Sequence, residues 1–305
     1  MTIRFDDRVA IVTGAGQGLG RSHALALASR GARVVVNDLG GARDGSSSST
    51  GPAERVAEEI RAAGGEAMAN GANVAKMAEV TQMVEAVMAK WGRVDILVNN
   101  AGILRDKSFQ KMKIEDFGIV VDVHLMGAAN CTKAVWSIMR EQQYGRIVMT
   151  TSSSGLYGNF GQANYGAAKM AVVGLMNTLC LEGAKYGIRV NALSPCAATR
   201  MTEGLMPEQA LDMLRTGSVT TGLLYLVNEN GPNHEILCAG AGVFASTRIY
   251  ETDGLYLRPE ELSPENLAAN WDKVTDAGLQ KEYQHGGEQT VKFLTKASSA
   301  LGIKL

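Results

Sequence analysis

Seven short runs rich in β-branched residues alternate with stretches of helical periodicity, and this rhythm leaves few folds open to the chain. The runs are Arg8–Thr13, Arg33–Asn37, Glu66–Ala69, Val94–Val98, Arg146–Thr151, Ile188–Leu193 and Glu235–Cys238. Helices are predicted up to about Arg30, from Pro52, over Ala75–Trp91, up to about Arg140 and across Tyr165–Tyr186. Strands joined each time by a helix form a parallel sheet, so the expected fold is α/β, a doubly wound seven-stranded parallel sheet. The 305 residues suffice for one such domain with an addition. After Gly242 the rhythm stops, charge rises, and helix starts are read at Ser263-Pro264-Glu265 and near Gly287-Glu288. A main domain over 1–242 and a C-terminal helical appendage over 243–305 are expected. The appendage is too short to be an independent domain. Trp271, Phe293 and Leu294 recur in it at helical spacing, which suits a packed appendage rather than a loose tail.

The composition excludes several functions. Thirty basic against thirty-one acidic residues leave a net charge of -1, so neither nucleic acid nor an anionic membrane is an expected partner. No apolar run approaches the ~20 residues of a membrane span. The opening Met-Thr-Ile-Arg-Phe-Asp-Asp is no signal peptide, and the closing Ile-Lys-Leu misses a peroxisomal address by its isoleucine. A cytoplasmic location is therefore expected. Cys131, Cys180, Cys196 and Cys238 are scattered without metal-site spacing, so they read as buried structural thiols and no metal is expected.

Gly14, Gly16, Gly18 and Gly20 fall where the first strand gives way to the first helix. Glycine there permits a tight turn and places an anion on the helix N-terminus. The spacing is Thr13-Gly14-x-x-x-Gly18-x-Gly20, with Leu19 inside it, rather than Gly-x-Gly-x-x-Gly. A dinucleotide is the expected ligand. Asp38 ends the second strand, where an acid accepts from the adenosine ribose and repels a 2'-phosphate, although Asp also suits a turn before Leu39-Gly40-Gly41. With no basic residue at Gln17 or Leu39, NAD is the expected cofactor.

Tyr165 and Lys169 stand four apart on a predicted helix and so share a face. A phenol titrates near ~10, and a neighbouring ammonium favours its phenolate, which makes a base available. Ser152 lies at the carboxyl end of a predicted strand, where open α/β sheets bind ligands, and its hydroxyl suits a substrate oxygen.

Together with Asn99-Asn100-Ala101-Gly102, these motifs resemble, in order and spacing, those of the short-chain dehydrogenases/reductases, from about Asp6 to Gly242. The resemblance implies a Rossmann-type sheet and a hydride exchanged between a nicotinamide and a secondary alcohol or ketone. It implies catalytic Ser152, Tyr165 and Lys169, with Lys169 and Tyr165 also at the nicotinamide ribose. Asn99, Ala101 and Gly102 are implied beside the adenosine, Asn73 and Val74 at the adenine, and Pro195, Ala198 and Thr199 at the nicotinamide. Two positions depart from the family pattern. His124 replaces an asparagine that helps hold a relay water, and an imidazole there suits either that task or simple packing. Pro195-Cys196-Ala197-Ala198 replaces Pro-Gly, which leaves Thr199 to reach the carboxamide.

Further segments are similar to one branch, the (3R)-hydroxyacyl-CoA dehydrogenase region of peroxisomal multifunctional enzyme type 2 (17β-hydroxysteroid dehydrogenase type 4), as a stand-alone bacterial-type version. They are Asn37-Asp38-Leu39-Gly40-Gly41, Ser154 through Tyr165, Arg200-Met201-Thr202-Glu203, and Ser263-Pro264-Glu265 with Asn270-Trp271. That branch implies oxidation of a (3R)-hydroxyacyl-CoA by NAD. A hydroxysteroid or steroid side-chain CoA ester is the alternative substrate, and a non-catalytic dinucleotide sensor or partner subunit the alternative of another class. The family's habit implies a homodimer or homotetramer, for which Ala167, Ala168, Ala171 and Gly174 on one helix would permit close approach, a pattern that equally suits packing within the chain.

Overall fold

In the computed structural model, which describes residues 2–46, 51–197 and 208–303, all seven expected strands are present in one sheet of eight. They are β1 (Val9–Thr13), β2 (Arg33–Asn37), β3 (Ala67–Asn70), β4 (Ile96–Asn99), β5 (Gly145–Thr150), β6 (Ile188–Cys196) and β7 (Ile236–Gly240). The sheet order is β3-β2-β1-β4-β5-β6-β7, then β8 (Val243–Thr247), and the pairs from β3 through β7 are parallel. The eighth strand follows β7 after a turn too short for a crossover. It was expected to belong to the appendage, and its exposed side chains show why no core-facing pattern marked it.

The connecting helices are α1 (Gly18–Ala28), α2 (Gly51–Ala62), α3 (Met77–Trp91), α4 (Ile114–Val121), α5 (Gly127–Gln142), α6 (Ser153–Tyr157), α7 (Ala163–Ala184), α8 (Glu208–Met213) and α9 (Thr216–Leu226). Strands such as β1 and β4 are apolar at successive residues because both sheet faces are covered. Alternate residues enter opposite layers. Ala10 and Val12 meet Leu27, Ile60 and Leu223 on one face, whereas Val9 and Ile11 meet Met83, Val135 and Met176 on the other. Chain direction across the sheet reverses between β1 and β4, and the crevice outside their carboxyl ends is where such a fold receives ligands.

Residues 1–246 and 247–305 form two compact units. The second holds α10 (Pro264–Ala269), α11 (Trp271–Val274) and α12 (Gly287–Leu301). Ser263 caps α10 by accepting from Asn266 N at 3.1 Å, as the Ser-Pro-Glu start foretells. The unit is not wholly helical. The antiparallel pair β9 (Tyr250–Glu251) and β10 (Lys281–Glu282) runs through it, and Lys292 of α12 bonds Glu251 and Thr252 O. Two-residue strands held by long-range pairing leave no periodicity to read. Among the described residues no helix is long and apolar enough to cross a membrane, and no cluster of metal-binding side chains occurs.

The first layer also contains a titratable contact. His23 of α1 is buried against α9, with Nδ1 2.8 Å from Thr220 Oγ1, and burial lowers its pKa from 6.5 to about 3. A histidine kept neutral in the fold gives its full stability above pH 6.5 and loses it as the pH falls toward 3, at about 1.4 kcal/mol per unit. Urea unfolding at pH 7.5 and 5.0 should show an acid loss that shrinks in His23→Gln. Equal pH sensitivity in both proteins would remove His23 as its source.

Candidate active site

The glycine turn is shaped by two close approaches. Gly14 sits at φ +63°, and a Cβ there would lie 2.8 Å from Ala101 Cα. A Cβ on Gly20 would lie 2.1 Å from Gly14 O, so the first turn of α1 can wind against the loop only without a side chain. The turn is latched to the end of β4. Asn100 Nδ2 donates to Thr13 O (2.9 Å) and Gly14 O (3.1 Å), while Thr13 Oγ1 accepts from Asn100 N and Ala101 N (both 3.0 Å). The sequence motif contained Asn100 but did not show that its amide is the fastening.

From this turn a cleft of about 590 Å³ runs toward β5 and α7. Gly14, Gly18, Leu19, Gly20, Asp38, Asn73, Val74, Ala101, Gly102, His124, Tyr165, Lys169 and Pro195 all line it, so most expected site residues are brought together. Asn99 does not line it. Its side chain turns inward, donating to Thr132 Oγ1 at 3.2 Å. Ala198, Thr199 and the Arg200-Met201-Thr202-Glu203 segment lie outside the described residues. The cleft also contains Arg43, Ile103 and Asp122, which no motif marked. The carboxylate of Asp38 spans the cleft's near end, accepting from Gly16 N (2.7 Å) and Gly40 N (2.6 Å). Each carboxylate oxygen retains a further lone pair for a ribose hydroxyl.

Ser152 is not in the cleft's lining but reaches its far end by a hydrogen bond with Tyr165; it stands just past β5 and caps α6, its Oγ accepting from Ser154 N at 3.2 Å. Tyr165 and Lys169 emerge from one face of α7, with Nζ 5.6 Å from the phenol ring centre. Burial raises the Tyr165 hydroxyl above its ordinary value, a hydrogen bond with Ser152 offsets part of this, and Asp106 adds to the rise. Burial likewise lowers Lys169 to about 7. Its Nζ donates to Thr150 O at 2.6 Å, which aims the amine between strand and ring.

His124 lies in a single wide π turn (Asp122–Met126) between α4 and α5, a local widening often found at functional sites. Its ring meets that of Tyr165 edge-on, with centres 5.2 Å apart at 88°. Nε2 contacts both Ile103 N (3.1 Å) and Ile103 O (2.8 Å), accepting from one or donating to the other according to tautomer. Burial, then Lys169, lowers its pKa to about 3, so the ring is neutral at ordinary pH. A Cβ on Gly102 would lie 2.3 Å from His124 Cε1, which explains glycine there. Beside the ring is a cavity of about 10 Å³ whose lining combines Asn99, His124, Thr150 and Lys169 with apolar residues such as Val74 and Val172. Asn99 Oδ1, His124 Nδ1 and Thr150 Oγ1 are buried without hydrogen-bond partners among the described residues.

Helix N-terminus, glycine cradle and ribose acceptor at one end, with a hydroxyl, phenol and amine at the other, suit a dinucleotide whose reactive ring reaches Tyr165. Comparison with known proteins agrees. The short chain dehydrogenase family model matches residues 8–210. Peroxisomal multifunctional enzyme A of Dictyostelium discoideum is 46% identical over 278 residues, covering 90% of this chain and 61% of that enzyme. A short-chain type dehydrogenase/reductase of Mycobacterium tuberculosis is 47% identical over 272 residues, covering 88% of this chain and 94% of that protein. The full-length peroxisomal multifunctional enzyme type 2 of Drosophila melanogaster superposes with a TM-score of 0.82 at 37% identity, over 97% of this chain and 50% of that one. A 7α-hydroxysteroid dehydrogenase complexed with NADH and 7-oxo glycochenodeoxycholic acid superposes with a TM-score of 0.70 at 27% identity, over 78% of this chain and 95% of that one. The chain thus spans 61% of the Dictyostelium enzyme and half of the Drosophila one. With its motifs in place and two thirds of its length within the family model, this chain belongs to the short-chain dehydrogenase/reductase family of NAD(H)-using enzymes.

Proposed function

We propose that the protein oxidises a (3R)-hydroxyacyl-CoA to the 3-ketoacyl-CoA with NAD as the preferred coenzyme. The observation that carries this reading is the convergence of Tyr165 and Lys169, with Ser152 beside them, at the far end of a cleft that begins at the glycine turn and Asp38. The substrate class is supported by the branch motifs and by the likeness to peroxisomal multifunctional enzymes. Gly14, Gly18, Leu19 and Gly20 would cradle the diphosphate. Asp38 would accept from the adenosine ribose, and Asn73 and Val74 would border the adenine. Lys169 and Tyr165 would hold the nicotinamide ribose, with Pro195 against the ring. Bound there, the coenzyme supplies a positively charged ring that accepts the carbinol hydride.

The chain's own part is to manage the proton and the oxygen. Ser152 donates a hydrogen bond to the substrate oxygen and holds the carbinol carbon toward the ring. The Tyr165 phenolate takes the hydroxyl proton as the carbon–oxygen bond becomes a carbonyl. Lys169 stabilises that phenolate by its charge whenever it is protonated. We assign His124 to the proton path. The neighbouring cavity has room for one water, which needs two to four polar partners, and three unpartnered polar atoms border it. A homodimer or homotetramer is the assembly we favour, since Ala167 and Gly174 leave part of α7 exposed and narrow while Ala168 is spent inside the chain.

NAD reduction with 3-hydroxyacyl-CoAs of both hands, free hydroxysteroids and simple alcohols tests the substrate. Turnover confined to hydroxysteroids would overturn the acyl-CoA assignment. Tyr165→Phe should cost about a hundredfold to ten-thousandfold in rate while NADH still binds, and one tenth of the activity surviving would dismiss Tyr165 as the base. Because burial places the Tyr165 hydroxyl above its ordinary value, kcat/KM for oxidation should climb as pH rises through the alkaline range. A flat profile there would contradict a titrating tyrosine. Asp38→Ala should narrow the preference for NAD over NADP, and an unchanged ratio would show that another group sets it. His124→Asn should stay active and His124→Leu turn over slowly with unaltered NADH affinity. Full activity in the leucine variant would return His124 to packing.

A further inference from the structure

Ser152 and Tyr165 stand on different elements, and the chain between them passes through exposed residues 158–160, with Gly158 at φ +82° and Gly161 at φ +81°. Such a loop does little to fix their mutual position. Glycines let α6 lie close on α7, since a Cβ on Gly155 would meet Lys169 Cβ at 2.7 Å. That contact sets how near the helices lie rather than the direction of a hydroxyl.

A chain of hydrogen bonds spans the gap instead. Ser154 N donates to Ser152 Oγ (3.2 Å), Ser154 Oγ donates to Gln162 Oε1 (2.8 Å), and Gln162 Nε2 donates to Asp106 Oδ2 (2.8 Å). Asn159 Nδ2 also donates to Gln162 Oε1, at 3.0 Å. An ionised carboxylate can only accept, so the amide nitrogen must face Asp106 and the amide oxygen the two donors. Gln162 directly precedes α7, where a side chain ordinarily caps the helix, yet its own makes no capping bond. The three contacts take it instead. Asp106 is a firm end for the chain, because both its neighbours are fastened to the start of α7. Arg105 O accepts from Asn164 Nδ2 (3.0 Å), and Lys107 N donates to Gly161 O (2.9 Å). At the other end, Ser152 Oγ accepts from Ser154 N and so keeps its own hydrogen for another acceptor.

We propose that Gln162 is a positioning residue: its amide ties the Ser152 turn to Asp106 and so holds the Ser152 hydroxyl in register with Tyr165 over one substrate oxygen. This rests on reading Ser152 and Tyr165 as the pair that meets that oxygen.

The test is steady-state NAD reduction by the full chain, with its fastest substrate among 3-hydroxyacyl-CoAs, hydroxysteroids and simple alcohols, beside NADH titration and thermal melting. Rates are compared at the plateau of each variant's pH profile, because Asp106 also raises the Tyr165 hydroxyl. Gln162→Met keeps the side chain's length and loses the amide, so kcat should fall at least about tenfold while KM, NADH affinity and melting temperature hold. Gln162→Glu sets two carboxylates face to face and should be as slow. Adding Asp106→Asn to Gln162→Glu exchanges amide and carboxylate and restores the bridge, so kcat should return to within about threefold of the unaltered protein. Adding it to Gln162→Met should rescue nothing. Unaltered kcat in Gln162→Met, or a double exchange no faster than Gln162→Glu, would overturn the bridge. A melting temperature or NADH affinity that falls in step with kcat would overturn positioning in favour of a structural role. Full turnover in Ser152→Ala would instead overturn the reading of the site beneath the proposal.

Discussion

The latch between the glycine turn and the end of β4 is the contact on which the site depends. Thr13 and Asn100 together make five hydrogen bonds across that junction, joining β1 to the strand on the other side of the chain reversal. A turn with its backbone amides held open toward solvent is costly unless its carbonyls are satisfied elsewhere. The Asn100 amide satisfies two of them, which leaves the start of α1 free to face a ligand. The narrow gap to Ala101 that this demands makes Gly14 obligatory, and the gap between Gly14 O and the first turn of α1 makes Gly20 so.

Burial is the second constraint, and it acts on both Tyr165 and Lys169 in the direction that discourages charge. It raises the Tyr165 hydroxyl and brings Lys169 to about 7. A low-dielectric pocket strengthens whatever charge interaction is then made within it, so such a site responds strongly to a charged ring placed beside it. A neighbouring ammonium favours the phenolate through charge, but desolvation acts against it. Sequence spacing reports which groups are neighbours and says nothing of how dry they are.

The loop after β2, His124 and Tyr165 are all tied to one short segment. Residues 103–105 hold Arg43 and Asp44 of that loop through Leu104 and Arg105, hold His124 through the backbone of Ile103, and accept from Asn164 Nδ2 at Arg105 O (3.0 Å). Asn164 is fully buried, and its Oδ1 accepts from Tyr165 N at 2.8 Å. Part of the cleft's lining and Tyr165 are thereby positioned from the same stretch of backbone. No sequence pattern marks this, because the partners lie 21 to 61 residues apart and are linked mainly through main-chain atoms that any residue possesses.

The sequence by itself determined the alternation of strands and helices, the doubly wound sheet, the glycine turn and the pairing of Tyr165 with Lys169. Each of these follows from local causes: a 2.0 or 3.6 residue period, a backbone position that excludes Cβ, or four residues spanning one helical turn. Tertiary structure alone decided the rest. It added β8 at the exposed edge and the short β9–β10 pair, turned Asn99 inward to Thr132, and gathered Asn99, His124 and Thr150 around one small cavity. It also brought Arg43, which no motif marked, into the lining of the cleft. These outcomes depend on contacts between distant residues, whose energies are set by burial and mutual geometry and so leave no periodic trace along the chain.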